Sequence, residues 1–232
     1  MPNFILKVLK TLLIALIPVI LILGSARLLA TDSYLAFEYG KASFPADPYG
    51  FTPQQRFILA STNIHYVRAH LPDDELSKQT LNGVAVYNER EVTHMADVQA
   101  VFQIILRIWQ AAFILLLLLG VVFVQNGKRE AFAWAIQWGG LVTAGMIFAI
   151  ALLAIFAWQT WFDLFHRFLF VPGSWLFSYT DTLIRLFPIQ FWFDATLTIS
   201  VLAFVGGILL ALIGWRGQTL MARQPVDAMQ IA

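Results

Sequence analysis

Residues 104–124 read IILRIWQAAFILLLLLGVVFV, and Gln125-Asn126-Gly127-Lys128-Arg129-Glu130 follows at once. An α-helix rises about 1.5 Å per residue, so roughly 20 mostly apolar residues cross a hydrocarbon layer of about 30 Å, and this run has that length. The polar residues after it have room only to turn the chain, because residues 131–158 are apolar again. The centre of the sequence therefore reads as two membrane-crossing helices folded back on one another. Working outward, Thr11–Ala30 and Ala195–Trp215 meet the same requirement. The composition agrees: of 232 residues 59% are hydrophobic and only 12% charged, with a mean hydropathy of +0.71, too apolar for a soluble domain. Gly139, Gly140 and Gly145 in the third run and Gly206 and Gly207 in the fourth let neighbouring backbones approach closely. The expected fold is an all-α membrane protein, a four-transmembrane-helix bundle with a small extracytoplasmic cap.

The same composition excludes several functions. A net charge of +1 without a basic stripe gives a nucleic-acid partner nothing to bind. The absence of cysteine removes thiol nucleophiles, disulfides, cysteine-ligated zinc and iron–sulfur clusters, so chemistry is left to oxygen and imidazole groups. Basic residues flank the spans at Lys7 and Lys10, at Lys128 and Arg129, and at Arg216 and Arg223, which predicts that both termini are cytoplasmic. Trp109, Trp134, Trp158, Trp161, Trp192 and Trp215 fall at or near expected span ends, where an amphipathic ring prefers the headgroup level. The expected layout is a first transmembrane helix over 1–30 and an extracytoplasmic cap over 31–100. Three further transmembrane helices occupy 101–215, with an interfacial outer segment at 159–193, and 216–232 form a cytoplasmic tail, structureless after Gly217. The first run also has signal-peptide character, ending near Gly24-Ser25-Ala26, but the apolar pattern resumes at Leu28-Leu29-Ala30 and it reads as retained.

Both outer segments carry helix signals. Thr52-Pro53-Gln54-Gln55 is a capping box with proline at the first helical position, and Phe57, Ala60, Ile64, Val67 and Leu71 then recur at helical spacing until Pro72. Gly83–Tyr87 reads as a short strand, and Asn88 with Glu91 three residues on marks a second helix start that runs into the 104–124 span. In the later segment, Trp161, Phe162, Phe165, Phe168, Leu169 and Phe170 surround Asp163, His166 and Arg167, the mixture of a helix lying in the interface and ended by Pro172-Gly173. Asp181 and Arg185 are spaced to pair on a short helix closed by Pro188, and Asp194 is placed to cap the fourth span.

The four histidines, His65, His70, His94 and His166, lie outside the apolar runs and on one expected side of the membrane. Glu91-x-x-His94-x-x-Asp97 stacks titratable groups along one helix, and Asp163-x-x-His166 sets another carboxylate one turn from an imidazole. If the two helices meet, two imidazoles oriented by acids can move protons near neutral pH. The alternative reading of these residues is a solvated helix start with local ion pairs and an interfacial anchor. His65 and His70 read as surface residues. Ser174 lacks the Gly-x-Ser-x-Gly setting of a serine hydrolase.

The stretch Asn88-Glu89-Arg90-Glu91-Val92-Thr93-His94-Met95-Ala96-Asp97-Val98, followed by Phe162-x-x-x-His166, Trp175 and Asp181-Thr182-Leu183-Ile184-x-x-x-Pro188, resembles the bacterial family of lipoprotein intramolecular transacylases (Lit). The resemblance is carried by motifs over about Leu81 to Asp194. It implies an enzyme at the outer face of the bacterial plasma membrane acting on diacylglyceryl lipoproteins. The sn-2 acyl chain moves to the α-amino group of the N-terminal cysteine of the same molecule, giving the lyso-form lipoprotein. It also implies that His94 and His166 are the functional pair.

Because acyl donor and amine acceptor sit in one substrate, the protein has to orient, move protons and stabilise charge, and no cofactor or metal is expected. His94 is assigned as base, with Glu91 or Asp97 fixing its tautomer, and His166 faces the leaving oxygen, the reverse assignment staying open. Arg185 or the Trp175 indole N–H are candidate oxyanion donors. The rival readings are a metal-dependent extracytoplasmic lipid or peptide hydrolase using the same histidines and acids, and a non-catalytic membrane scaffold.

Overall fold

The computed structural model describes residues 1–72 and 74–223. In chain order the elements are α1 (Asn3–Leu29), α2 (Asp32–Tyr39), α3 (Pro53–Ala69), α4 (Asp74–Ser77), β1 (Thr80–Leu81), β2 (Val84–Ala85), α5 (Glu89–Gln125), α6 (Arg129–Phe156), α7 (Trp158–Leu169), α8 (Thr182–Leu186) and α9 (Ile189–Ala222). Four of these, α1, α5, α6 and α9, are long and apolar enough to cross a membrane. Helix α5 has 37 residues, roughly 55 Å at 1.5 Å per residue. Its apolar run occupies 104–124, so residues 89–103 extend beyond the span. The described residues divide into two compact units, with divisions inside the long helices at Gly24, Ile108, Ala149 and Ile199.

The first unit comprises Met1–Gly24, Trp109–Ala149 and the chain from Ser200. Leu13, Leu16, Ala112, Leu119, Phe123 and Ala135 form its core cluster. Glycine does what the sequence suggested at most positions: a Cβ on Gly140 would lie 2.3 Å from the Gly207 carbonyl oxygen, and one on Gly139 would strike Ile17. Gly145 is the exception, with nothing within 4 Å of its would-be Cβ. Gly140→Ala must therefore push two helix backbones apart, an overpacking cost of about 1–3 kcal/mol. Gly145→Ala only gains helix propensity. A clear fall in melting temperature for the first variant and none for the second, measured in detergent, is the expected result. Outward-facing Phe113, Leu117, Leu118, Val121, Val205, Leu209 and Leu212 remain exposed, which suits lipid as solvent and not water.

The ends of α1 and α9 extend beyond their apolar runs. Helix α1 begins at Asn3, ahead of the apolar run, with Lys10 Nζ set 4.1 Å from the centroid of the Trp134 ring. Helix α9 continues past Gly217 to Ala222, because Gln218 Nε2 bonds Gln137 Oε1 at 2.6 Å. The structureless tail expected there is thus helical as far as Ala222, and its last part, 224–232, lies outside the described residues.

The second unit comprises Ser25–Ile108 and Ile150–Ile199. On α3 the apolar face expected from spacing is real: Ala60 and Val67 are buried in the core, and Phe57, Ile64 and Leu71 pack against it. Its capping box forms, with Thr52 Oγ1 accepting from Gln55 N and Gln55 Oε1 accepting from Thr52 N. Helix α5 supplies side-chain donors to carbonyls at and just beyond the end of α3: Gln99 Nε2 bonds Tyr66 O and Leu71 O, and Gln103 Nε2 bonds Val67 O. The expected strand near Val84 pairs with β1 through Asn82-Gly83, both at positive φ, as a two-residue hairpin requires. Asp194 does not cap α9, which starts five residues earlier at Ile189, just after Pro188. It instead joins Glu38 around the Lys41 ammonium, at 2.9 and 2.7 Å.

Candidate active site

The site lies wholly within the second unit and begins with the start of α5. Asn88 N donates to Glu91 Oε2 and Glu91 N donates to Asn88 Oδ1, a reciprocal cap that fixes the first turn and hence the direction of His94 one turn later. The other Glu91 oxygen accepts from Leu183 N at 2.7 Å, tying α8 to α5. Glu91 is fully buried and spent on backbone amides. It does not orient His94, contrary to the sequence expectation, and neither does the partly exposed Asp97, which makes no hydrogen bond to either imidazole.

His94 is 8% exposed, and its Nδ1 is buried with no hydrogen-bond partner among the described residues. Phe170 and Phe177 pack on its ring at centroid distances of 5.1 and 5.3 Å. It lies outside the apolar 104–124 run, and burial among these rings pulls its pKa down to about 4, with His166 adding a smaller push in the same direction.

His166 comes from α7, the amphipathic helix that leaves Leu164, Phe165 and Phe168 exposed and turns His166 inward. Its Nδ1 lies 2.8 Å from the Phe162 carbonyl oxygen. A carbonyl only accepts, so Nδ1 carries the proton and Nε2 presents its lone pair. Asp163 was expected to orient this ring but is paired with Arg167 at 2.9 Å, on the more exposed side of the helix. The ring stacks against Phe162 at 4.0 Å and Trp175 at 5.4 Å, and lies 5.8 Å from Phe170, the same phenyl group that contacts His94. Burial lowers the His166 pKa, while the Phe162 carbonyl and the Asp163 charge work against that lowering. Both imidazoles are therefore neutral near pH 7. They share Phe170 as a common wall.

Beside His94 is a cavity of about 290 Å³ lined by Glu89, Arg90, Thr93, His94 and Ser174. The remaining candidates are engaged elsewhere. Asp181 does not pair with Arg185: its Oδ2 accepts from Ser178 N at 2.7 Å and its Oδ1 from Asn88 Nδ2 at 3.2 Å. Arg185 grips Asp47 through two bonds, Nε to Oδ1 at 3.0 Å and Nη2 to Oδ2 at 2.9 Å, and stacks 3.5 Å from the Phe51 centroid. Its Nε and Nη2 are thereby committed to Asp47. Trp175 is buried against His166.

The residues the sequence reading missed are Asp47, Phe170 and Phe177, together with Glu38 and Lys41. Their signals were weak, since a turn aspartate and two aromatics seven positions apart have no spacing that names their partner. His65 and His70 are exposed as expected, His65 with its Nε2 2.8 Å from Asp32 Oδ2. Among the described residues no three His, Asp or Glu side chains gather as metal ligands, which leaves the metal-hydrolase reading without a ligand set there.

The model of the protein family described as lipoprotein intramolecular transacylase Lit matches residues 11–192. A protein of Aquifex aeolicus (strain VF5), described as uncharacterized, is 30% identical over 213 residues, covering 91% of this chain and 95% of its own. Among solved structures, the membrane-integral lipoprotein intramolecular transacylase Lit from Bacillus cereus is similar with a TM-score of 0.78, over 96% of this chain and 99% of that one, at 17% identity. A variant of it carrying a histidine-to-alanine mutation is similar with a TM-score of 0.66, over 96% and 97% of the two chains, at 16% identity. At such identities the likeness speaks for the fold, that of a multi-pass integral membrane protein.

Proposed function

The chain belongs to the lipoprotein intramolecular transacylase family, and on that premise we propose that His166 and His94 carry the transfer of the sn-2 acyl chain of a diacylglyceryl lipoprotein to the α-amino group of its own N-terminal cysteine. The observation that carries the assignment is the Phe162 carbonyl at His166 Nδ1, which leaves Nε2 free to accept a proton. A free α-amino group has a pKa of about 8, so near neutral pH a useful fraction is already uncharged. As its nitrogen attacks the ester carbonyl, His166 Nε2 takes the proton, and the imidazolium is supported by the Phe162 carbonyl, the nearby Asp163 charge and the aromatic faces around it. This reverses the order expected from the sequence, because His94 lacks the carboxylate that was to make it the better base.

Collapse of the tetrahedral intermediate forms the amide C–N bond and breaks the bond to the glyceryl oxygen. That oxygen needs the proton the amine gave up. His94 is suited to relay it, since a neutral imidazole donates at one nitrogen while accepting at the other. The net change is one proton moved from nitrogen to oxygen and one acyl group moved from oxygen to nitrogen, with no water and no acyl-enzyme. The basic flanks of the spans support an active site at the outer face of the bacterial plasma membrane with both termini cytoplasmic. The acyl chains then enter sideways from the outer leaflet, past the exposed apolar side chains Phe168, Val171 and Leu176.

Expression in a bacterium that makes only diacylglyceryl lipoproteins, with mass spectrometry of a reporter's N-terminal peptide, tests this directly. Unchanged total mass with one acyl chain on nitrogen is the expected result. Loss of an acyl chain would identify a hydrolase, and an unmodified reporter beside verified membrane-inserted protein would favour a scaffold.

A further inference from the structure

We propose that Ser174 Oγ is the hydrogen-bond donor to the oxyanion of the tetrahedral intermediate, an assignment that rests on the transacylase reading above. Ser174 shares the cavity wall with His94, and each carries a buried polar atom that no group among the described residues satisfies, Ser174 Oγ and His94 Nδ1. A buried hydroxyl without a partner is destabilising, and native proteins keep few of them. An unsatisfied hydroxyl and an unsatisfied imidazole nitrogen on two residues that line one cavity mark where a polar group of the substrate completes the bonding.

The other lining residues cannot take this role as well. Thr93 Oγ1 already donates to the Glu89 carbonyl at 2.9 Å. Glu89 brings a carboxylate, which would repel an oxyanion. Arg90 is drawn aside, with Nη2 on the Leu176 carbonyl at 2.6 Å and the guanidinium over the Phe177 ring. Ser174 is also held firmly. Its amide bonds the Val171 carbonyl at 3.1 Å, closing a turn in which Pro172 presets φ and Gly173 sits at φ +88, a backbone that other residues adopt only with strain. Rotation about one side-chain bond aims the hydroxyl. As the amine attacks, the carbonyl oxygen gains negative charge and accepts a hydrogen bond from Ser174 O–H. The proton stays on Ser174 throughout, and no covalent bond to the enzyme forms.

A donor that acts only on the developing charge affects kcat and leaves KM alone. Ser174→Ala should lower kcat by about 10²–10³-fold with KM unchanged, the usual loss for one oxyanion donor. Because it deletes an unsatisfied hydroxyl, the same variant should melt at or above the temperature of the parent, a combination that a structural serine would not give. Ser174→Thr, which keeps the hydroxyl, should retain at least a tenth of the activity (about 10-fold loss at most). Activity is read on a purified diacylglyceryl lipopeptide in detergent, with melting curves on the same samples and His166→Ala in parallel. Parental kcat in Ser174→Ala beside an inactive His166→Ala would overturn this assignment and leave the transacylase reading standing. A lowered melting temperature in Ser174→Ala would show the hydroxyl bonded within the fold and would overturn it too. An active His166→Ala would overturn the reading beneath it.

Discussion

Replacing His166 by alanine is expected to lower kcat for acyl transfer by about 10²–10⁴-fold, the usual contribution of a positioned acid or base, with membrane insertion unchanged. The side chain is held by one bond to its own helix backbone and by ring contacts, so its loss leaves no buried charge behind. His94→Ala should fall in the same range, and the double variant should cost far less than the product of the two because the histidines act as one relay. The pH profile supplies a second check. Burial holds the His166 pKa below its ordinary 6.5, so the ring is neutral, and able to accept a proton, from neutral pH down to the lowered value. The amine, with a pKa of about 8, loses reactivity first as pH falls. For the intact enzyme kcat/KM should therefore rise with pH toward about 8, with no separate inflection near 6.5. An activity that declines between pH 6 and 8 would contradict a neutral imidazole base.

Asp47→Ala is expected to be the most damaging single change to stability. The Asp47 side chain is fully buried and accepts four hydrogen bonds, two from Arg185 and one each from the Tyr49 and Phe51 amides. Removing it strands a nearly buried guanidinium, which costs about 3–5 kcal/mol and should lower the melting temperature on the order of 10 °C. Burial by itself would raise the Asp47 pKa, but the Arg185 bonds and the two amides outweigh it and hold the carboxyl below its ordinary 3.8. The stabilisation is therefore complete at neutral pH and is lost only as pH falls through that lowered value. Asp47→Asn, which keeps the volume and one acceptor oxygen, should recover part of the loss. Asp74→Ala, which breaks the exposed Lys78 pair, should leave the melting curve unmoved. Equal melting temperatures for Asp47→Ala and the parent would show that Arg185 finds solvent or another acceptor.

Arg185 also shows the limit of local reading. Four residues from Asp181 on a short helix, it satisfied every spacing rule for an ion pair. The actual acceptor arrives from 138 positions away. Glu91 met the same fate: its capping role at Asn88 was legible because both partners lie within one turn, while its second bond, to Leu183 N, crosses 92 positions and takes the carboxylate away from His94. Asp163 was displaced as an orienter of His166 by something no side-chain pattern displays, the carbonyl of Phe162.

What the sequence determined by itself were the four spans, the starts of α3 and α5, the apolar face of α3, the amphipathic character of α7 and the two histidines worth watching. Each follows from interactions within a few residues or from the match between helix rise and bilayer thickness, so each is written in composition and period. The tertiary structure alone decided which acids are spent on backbone amides, which imidazole has a fixed tautomer, that Phe170 walls both rings, and that Ser174 shares a cavity with His94. A buried polar group bonds whichever donor or acceptor packing delivers, and packing delivers it from segments far apart in the chain.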